Sequence, residues 1–107
     1  MQYIKKANYA SFRFILTNSD GSPVDLSQAT LGFIVKKNKF DDDTMAILSA
    51  EIENSDTNDV LFQFDATVTA PLEVGEYFAA LKIFKTNNLN DEVWSDKVRV
   101  TKETFNE

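Results

Sequence analysis

Gly75-Glu76-Tyr77-Phe78-Ala79-Ala80-Leu81-Lys82-Ile83-Phe84 is the stretch that decides the fold. Tyr77, Ala79, Leu81 and Ile83 fall on one parity and Phe78, Ala80, Lys82 and Phe84 on the other, which is the period of a strand and not of a helix. Gly75 opens this strand, the longest of the chain, and Thr86-Asn87-Asn88-Leu89-Asn90-Asp91 closes it as a hairpin loop. A last strand then returns. Trp94, Val98 and Val100 share one parity and Lys97, Arg99 and Thr101 the other, which leaves Asp96 on the apolar side and predicts a bulge or a sheet edge there.

The same alternation recurs towards the N-terminus. Phe12, Phe14 and Leu16 define one strand, and Asn18-Ser19-Asp20-Gly21-Ser22-Pro23 ends it with side chains that bond their own backbone and a Gly that accepts positive φ. Leu31, Phe33 and Val35 mark a second, with Ile34 and Lys36 on its opposite face, before the polar stretch from Lys37 to Thr44. A short strand is expected between Met45 and Ile52, and Asn54-Ser55-Asp56-Thr57-Asn58-Asp59 turns the chain into the strand of Val60, Phe62 and Phe64.

Two segments are too long for tight hairpins. Val24 to Ala29 is too short and mixed for an amphipathic helix and reads as a crossing between sheets, with Val24 and Leu26 plugging the edge. Thr67 to Val74 contains Pro71, which cannot donate to a ladder, and reads as a second bridge. About seven strands without a convincing helix predict an all-β antiparallel sandwich or small barrel; the two crossings favour an immunoglobulin-like sandwich with Greek-key connections over the alternative, an up-and-down barrel. The domain is expected over residues 1–101, with 102–107, where the pattern is lost, as a tail or the start of a linker.

Composition narrows the function. The chain has 107 residues, a single-domain length, and no Cys, so neither disulfides nor thiolate chemistry contribute. It also has no His, which together with the missing Cys excludes Ser-His-Asp and Cys-His nucleophile activation and the usual zinc ligand sets. No enzyme is expected, and no cofactor is called for. Seventeen acidic against eleven basic residues repel phosphate backbones unless the basic groups gather on one face. Lys5-Lys6, Lys36-Lys37-Lys39 and Lys82-Lys85 read instead as solubilising charge at strand ends and solvent faces, so nucleic acid is not an expected partner. No stretch approaches the roughly 18 apolar residues of a membrane span, and the start lacks the apolar run of a signal peptide. A membrane is therefore not an expected partner either.

Asp41-Asp42-Asp43 is the sharpest acidic feature, but its spacing lacks the alternation of a calcium loop, and it reads as a solvated loop tip. Asn18, Asp20 and Asp25 read as turn formers. Gly21, Gly32 and Gly75 are isolated and form no phosphate-cradling loop. Among the nine Phe residues, Phe12, Phe14, Phe33, Phe62 and Phe64 lie on apolar faces and fill the core with Trp94. Phe40, Phe78, Phe84 and Phe105 are off-pattern. Of these, Phe40, Phe78 and Phe84, with Lys82 between the last two, are the candidate interface residues.

The run Phe12-Arg13-Phe14-Ile15-Leu16, then Asp20-Gly21-Ser22-Pro23-Val24-Asp25-Leu26-Ser27-Gln28-Ala29-Thr30, then Phe33-Ile34-Val35-Lys36, resembles the N-terminal domain of phage baseplate upper proteins. Pro71, Val74-Gly75-Glu76-Tyr77 and the final strand from Val93 to Val100 are similar to the second half of that domain, so the resemblance spans residues 10 to 101. The loop from Lys39 to Thr44 departs from the glycine-containing turn of the pattern.

The resemblance implies an immunoglobulin-like sandwich in the tail-tip organelle of a phage or prophage. It would be a non-enzymatic module docking to other tail and baseplate proteins, homo-oligomeric in the full-length protein. It would be located in the virion, and in the host cytoplasm during assembly. Proteins of that kind continue beyond the sandwich, which implies an excised domain or a short variant. The other reading of such a sandwich is a carbohydrate-binding or adhesion module, which requires aromatics such as Tyr77, Phe78 and Phe84 exposed in one plane.

Overall fold

The computed structural model describes residues 1–85 and 90–102, with the backbone alone at 85, 90 and 91. Seven strands lie among them: β1 (Gln2–Lys5), β2 (Ala10–Ile15), β3 (Ala29–Lys36), β4 (Leu48–Glu53), β5 (Asp59–Phe64), β6 (Gly75–Lys85) and β7 (Asn90–Thr101). A 3-10 turn (Asp43–Met45) precedes β4, and one short helix, α1 (Ala66–Thr69), follows β5. A five-stranded sheet in the order β1-β7-β6-β3-β4 faces a two-stranded sheet of β2 and β5. This is an immunoglobulin-like sandwich, and the segments 24–29 and 67–74 lie on two of the four connections that carry the chain between sheets. The link from β4 to β5 also changes sheets, helped by Asn54 at φ 51, a conformation that Asn tolerates.

The sequence expectations need correction at four places. β1 carries no alternation strong enough to be read. It forms because Ile4 buries itself beside β7, and it pairs with β7 in parallel, so the sandwich is not purely antiparallel. The expected Met45–Ile52 strand is split, with Met45 in the 3-10 turn and the strand starting at Leu48. Asp42 makes that turn by accepting the Thr44 N–H at 3.1 Å, a local bond that competes with extended structure. Part of the second bridge is helical: Asp65 caps α1 by accepting the Val68 N–H at 3.1 Å.

The fourth concerns β7, where the sheet edge expected at Asp96 is found and the bulge lies elsewhere. Its bulge is at Val93, because Leu81 pairs with Trp94 while Lys82 pairs with Glu92. Asp96 is in register opposite Ala79, beyond the part of β7 that β1 covers. Its carboxylate leaves the core at this edge and meets the Met1 ammonium at 3.3 Å. The Lys97 N–H and that ammonium hold it below the usual carboxylate range. The loop 86–89 and the tail 103–107 lie outside the described residues, and with them Phe105.

The core is aromatic. Phe33, fully buried at the centre of β3, has its ring 4.7 Å from Phe12, 5.4 Å from Phe62, 5.9 Å from Phe14, 6.0 Å from Phe64 and 6.3 Å from Trp94. Leu31, Val35, Leu81, Val98 and Val100 close the cluster with no exposed surface. Val24 and Leu26 pack onto it from the first crossing, Leu26 buried and Val24 half-buried. Gly21 takes φ +89 in the turn before them, where Asp20 accepts the Ser22 N–H at 2.9 Å. The Ser22 hydroxyl, and after it that backbone bond, lower the Asp20 pKa.

At the entry to β6 the Tyr77 hydroxyl donates to the Glu73 carbonyl at 2.7 Å while its ring is buried, the corner arrangement of immunoglobulin-type sandwiches. Burial, followed by the Glu73 charge, raises its pKa. Tyr77→Phe keeps the ring and loses this bond, so urea unfolding is expected to show a loss of about 1 kcal/mol, the usual net worth of one intramolecular hydrogen bond.

Candidate functional site

The outer face of the five-stranded sheet gathers three of the four candidate interface residues. The pleat of β6 that sends Tyr77, Ala79, Leu81 and Ile83 into the core sends Phe78, Ala80, Lys82 and Phe84 outwards. On β3 they lie opposite Lys36, Ile34, Gly32 and Thr30 respectively. Phe78 is half-buried, between Lys36 on one side and Lys97 of β7 on the other. Phe84 is 36% exposed and leans over Gly32, where an added Cβ would stand 3.2 Å from its Cε2. Gly32 thus has a packing role, which an isolated Gly in a strand did not reveal.

Phe40 is elsewhere. It sits in the β3–β4 connection, 94% exposed, with the Lys39 ammonium 5.9 Å from its ring centroid.

That connection folds back onto the sheet, and Asp43 holds it there. Its carboxylate meets the Lys82 ammonium at 2.7 Å and the Lys36 ammonium at 3.2 Å. Lys36 also donates to the Asp41 carbonyl at 2.9 Å. Lys36 was expected among solubilising lysines; it is 8% exposed, because the loop closes over it. The hydrogen bond from Lys82, and secondarily that from Lys36, lower the Asp43 pKa against a desolvation cost that raises it.

The three acids of the run therefore do separate work: Asp42 caps the turn, Asp43 pins the loop, and Asp41 accepts the Asn38 N–H at 3.2 Å. No group of three or more acidic side chains converges on one point among the described residues. Asp25 likewise bonds locally, accepting from the Ser27 N–H at 3.0 Å.

The Lys36–Asp43–Lys82 bridge divides the face into two shallow concavities. One, of about 260 Å³, has Phe78 and Ala80 in its floor and Lys36, Lys39 and Lys97 around it. The other, of about 230 Å³, is lined by Ile34, Gly32, Lys82 and Phe84 with Glu51 of β4. The arrangement suits contact with a partner surface: half-exposed apolar side chains beside charges of which Lys36, Lys82 and Asp43 are paired within the domain. Sequence reasoning found Phe78, Lys82 and Phe84 by parity. It missed Asp43 and Ile34, although two lysines on one face and an acidic run in the adjoining loop were a readable signal.

Among the described residues no helix is long and apolar enough to cross a membrane. No family model, curated protein or solved structure matches the chain.

Proposed function

We propose that this domain is a non-enzymatic structural module of a phage or prophage tail baseplate, docking to neighbouring virion proteins through the outer face of its five-stranded sheet. The resemblance over residues 10 to 101 supports a location in the virion, and in the host cytoplasm during assembly. In the full-length protein the module is homo-oligomeric. The observation that carries the docking reading is the exposed Phe84 beside the half-buried Ile34 around Gly32, on a face crossed by the Lys36–Asp43–Lys82 bridge. The carbohydrate reading depends on Tyr77, Phe78 and Phe84 sharing one exposed plane; Tyr77 is buried with its hydroxyl bonded inside the domain.

The test is co-expression with the products of the flanking reading frames, using the wild type and Phe84→Asp. A defined complex weakened at least about tenfold by Phe84→Asp, the loss of about 1.4 kcal/mol of contact, is the expected result. Phe84 lies outside the buried core, so the variant should keep its melting temperature. Binding to a glycan array without any such complex would transfer the function to the carbohydrate reading, and no binding of either kind would overturn the proposal.

A further inference from the structure

The two sheets are unequal, five strands against two, and the excess is finished differently on its two sides. On the β2 side, where Phe14 packs against the half-buried Trp94 of β7 at 5.0 Å, the inward residues where β1 pairs with β7 are sealed: Ile4, Val98 and Val100 are at most 1% exposed. On the other side Phe62 and Phe64 of β5 pack under Phe33 of β3, so β4, the next strand beyond β3, overhangs the edge of β5. Beneath that overhang Ala50 and Ile52, which point inwards with Leu48, remain only half-buried.

The edge of β5 is open from Val60 to Phe64, after Asp59 at its start. Leu16 donates its N–H to the Asn58 carbonyl at 2.9 Å, which fixes the alternation of the β2–β5 ladder. Val60, Phe62 and Phe64 bond towards β2, while the N–H and C=O of Leu61 and Gln63 point the other way. Among the described residues no strand pairs on that side.

Other edges carry the usual deterrents. β4 has Glu51 and Glu53, β2 has Arg13 at its middle, β1 is four residues long and ends in Lys5, and the open part of β7 holds the Val93 bulge with Asp96 and Lys97. From Val60 to Phe64, β5 has no charge, Pro, Gly or bulge, and Leu61 is 43% exposed on its outer face.

We propose that the open edge of β5 beneath β4 is an acceptor site for one extended peptide segment of a partner protein, which adds as a third strand and covers Ala50 and Ile52 with its inward side chains. Backbone groups in a row at strand spacing are matched together, in place of water, by another extended backbone. The overhang limits what can bring it. Neighbouring strands lie ~4.8 Å apart, so a single strand fits under β4. A second copy pairing β5 to β5 would bring its own β4 into the same space. The recognised segment alternates apolar and polar residues, with the apolar ones facing in. This site is separate from the outer face of the five-stranded sheet and does not depend on it.

The probe is a displayed library of ten-residue peptides that alternate Val, Ile, Leu or Phe with polar residues, selected on the intact chain. Selected peptides are expected to slow amide hydrogen exchange at Leu61 and Gln63 specifically. Gln63→Pro removes an outward N–H and no ladder bond, so it should lower their affinity at least about tenfold while Phe84→Asp leaves it unchanged. The wild-type exchange measurement stands without any variant. No enrichment, or protection confined to other amides, would overturn the proposal. So would a concentration-dependent dimer by light scattering that Gln63→Pro abolishes, in favour of self-pairing.

Discussion

Phe33→Ala is expected to destabilise the domain by about 4 kcal/mol, read as a fall in the urea midpoint at unchanged slope. Phe33 has no exposed surface and its ring touches aromatic rings from β2, β5 and β7, so the cavity opens between the two sheets rather than at their margin. The domain has no disulfide to hold the sheets together once that contact is gone. Small domains carry about 5–15 kcal/mol in total, so the variant is expected to unfold partly near physiological temperature. Phe33→Leu, which refills most of the volume, should recover much of the loss. A Phe33→Ala variant as stable as the wild type would mean that the two sheets are held together elsewhere.

Asp43→Ala is expected to cost about 1–3 kcal/mol, because it strands the buried Lys36 and leaves Lys82 without its partner. The figure is below the roughly 3–5 kcal/mol that breaking a buried pair costs, since the Asp43 side chain is 38% exposed and water screens it. Combining it with Lys36→Met should restore part of the loss, as apolar replacement of both partners removes the stranded charge.

The same group makes stability depend on pH. Its depressed pKa means that the folded state binds its proton less readily than the unfolded chain does. The contribution is complete above the ordinary carboxylate range and disappears as the pH falls below about 4. A melting series over acid pH should therefore show a shallower decline in Asp43→Ala than in the wild type. The variant should also free the loop over Phe78, measurable as faster amide exchange across residues 37 to 47.

The sandwich was legible because its signals are local. Alternation at Phe12, Phe14, Phe33, Phe62 and Phe64 states which side chains face inwards, whatever the neighbouring strand, and Asp20-Gly21-Ser22 encodes its own turn through bonds within three residues. The same parity put Phe78, Lys82 and Phe84 on one face before any pairing was known. What escaped was set by partners distant in sequence. Gln2–Lys5 has too little pattern to declare itself and becomes a strand only because β7 is there to receive Ile4. Lys36 looks like any surface lysine until a loop thirty-nine residues from Lys82 brings Asp43 between the two ammonium groups.

Sequence alone therefore determined the fold class, the inward set of aromatics, two of the four crossings and the lack of His and Cys, since each is a property of single residues or of their spacing along one strand. Tertiary structure alone decided the parallel β1–β7 pair, the bridged loop on the outer face and the unsealed edge of β5. These depend on which strands become neighbours and on how far one sheet extends past the other, and no local stretch of residues carries that information.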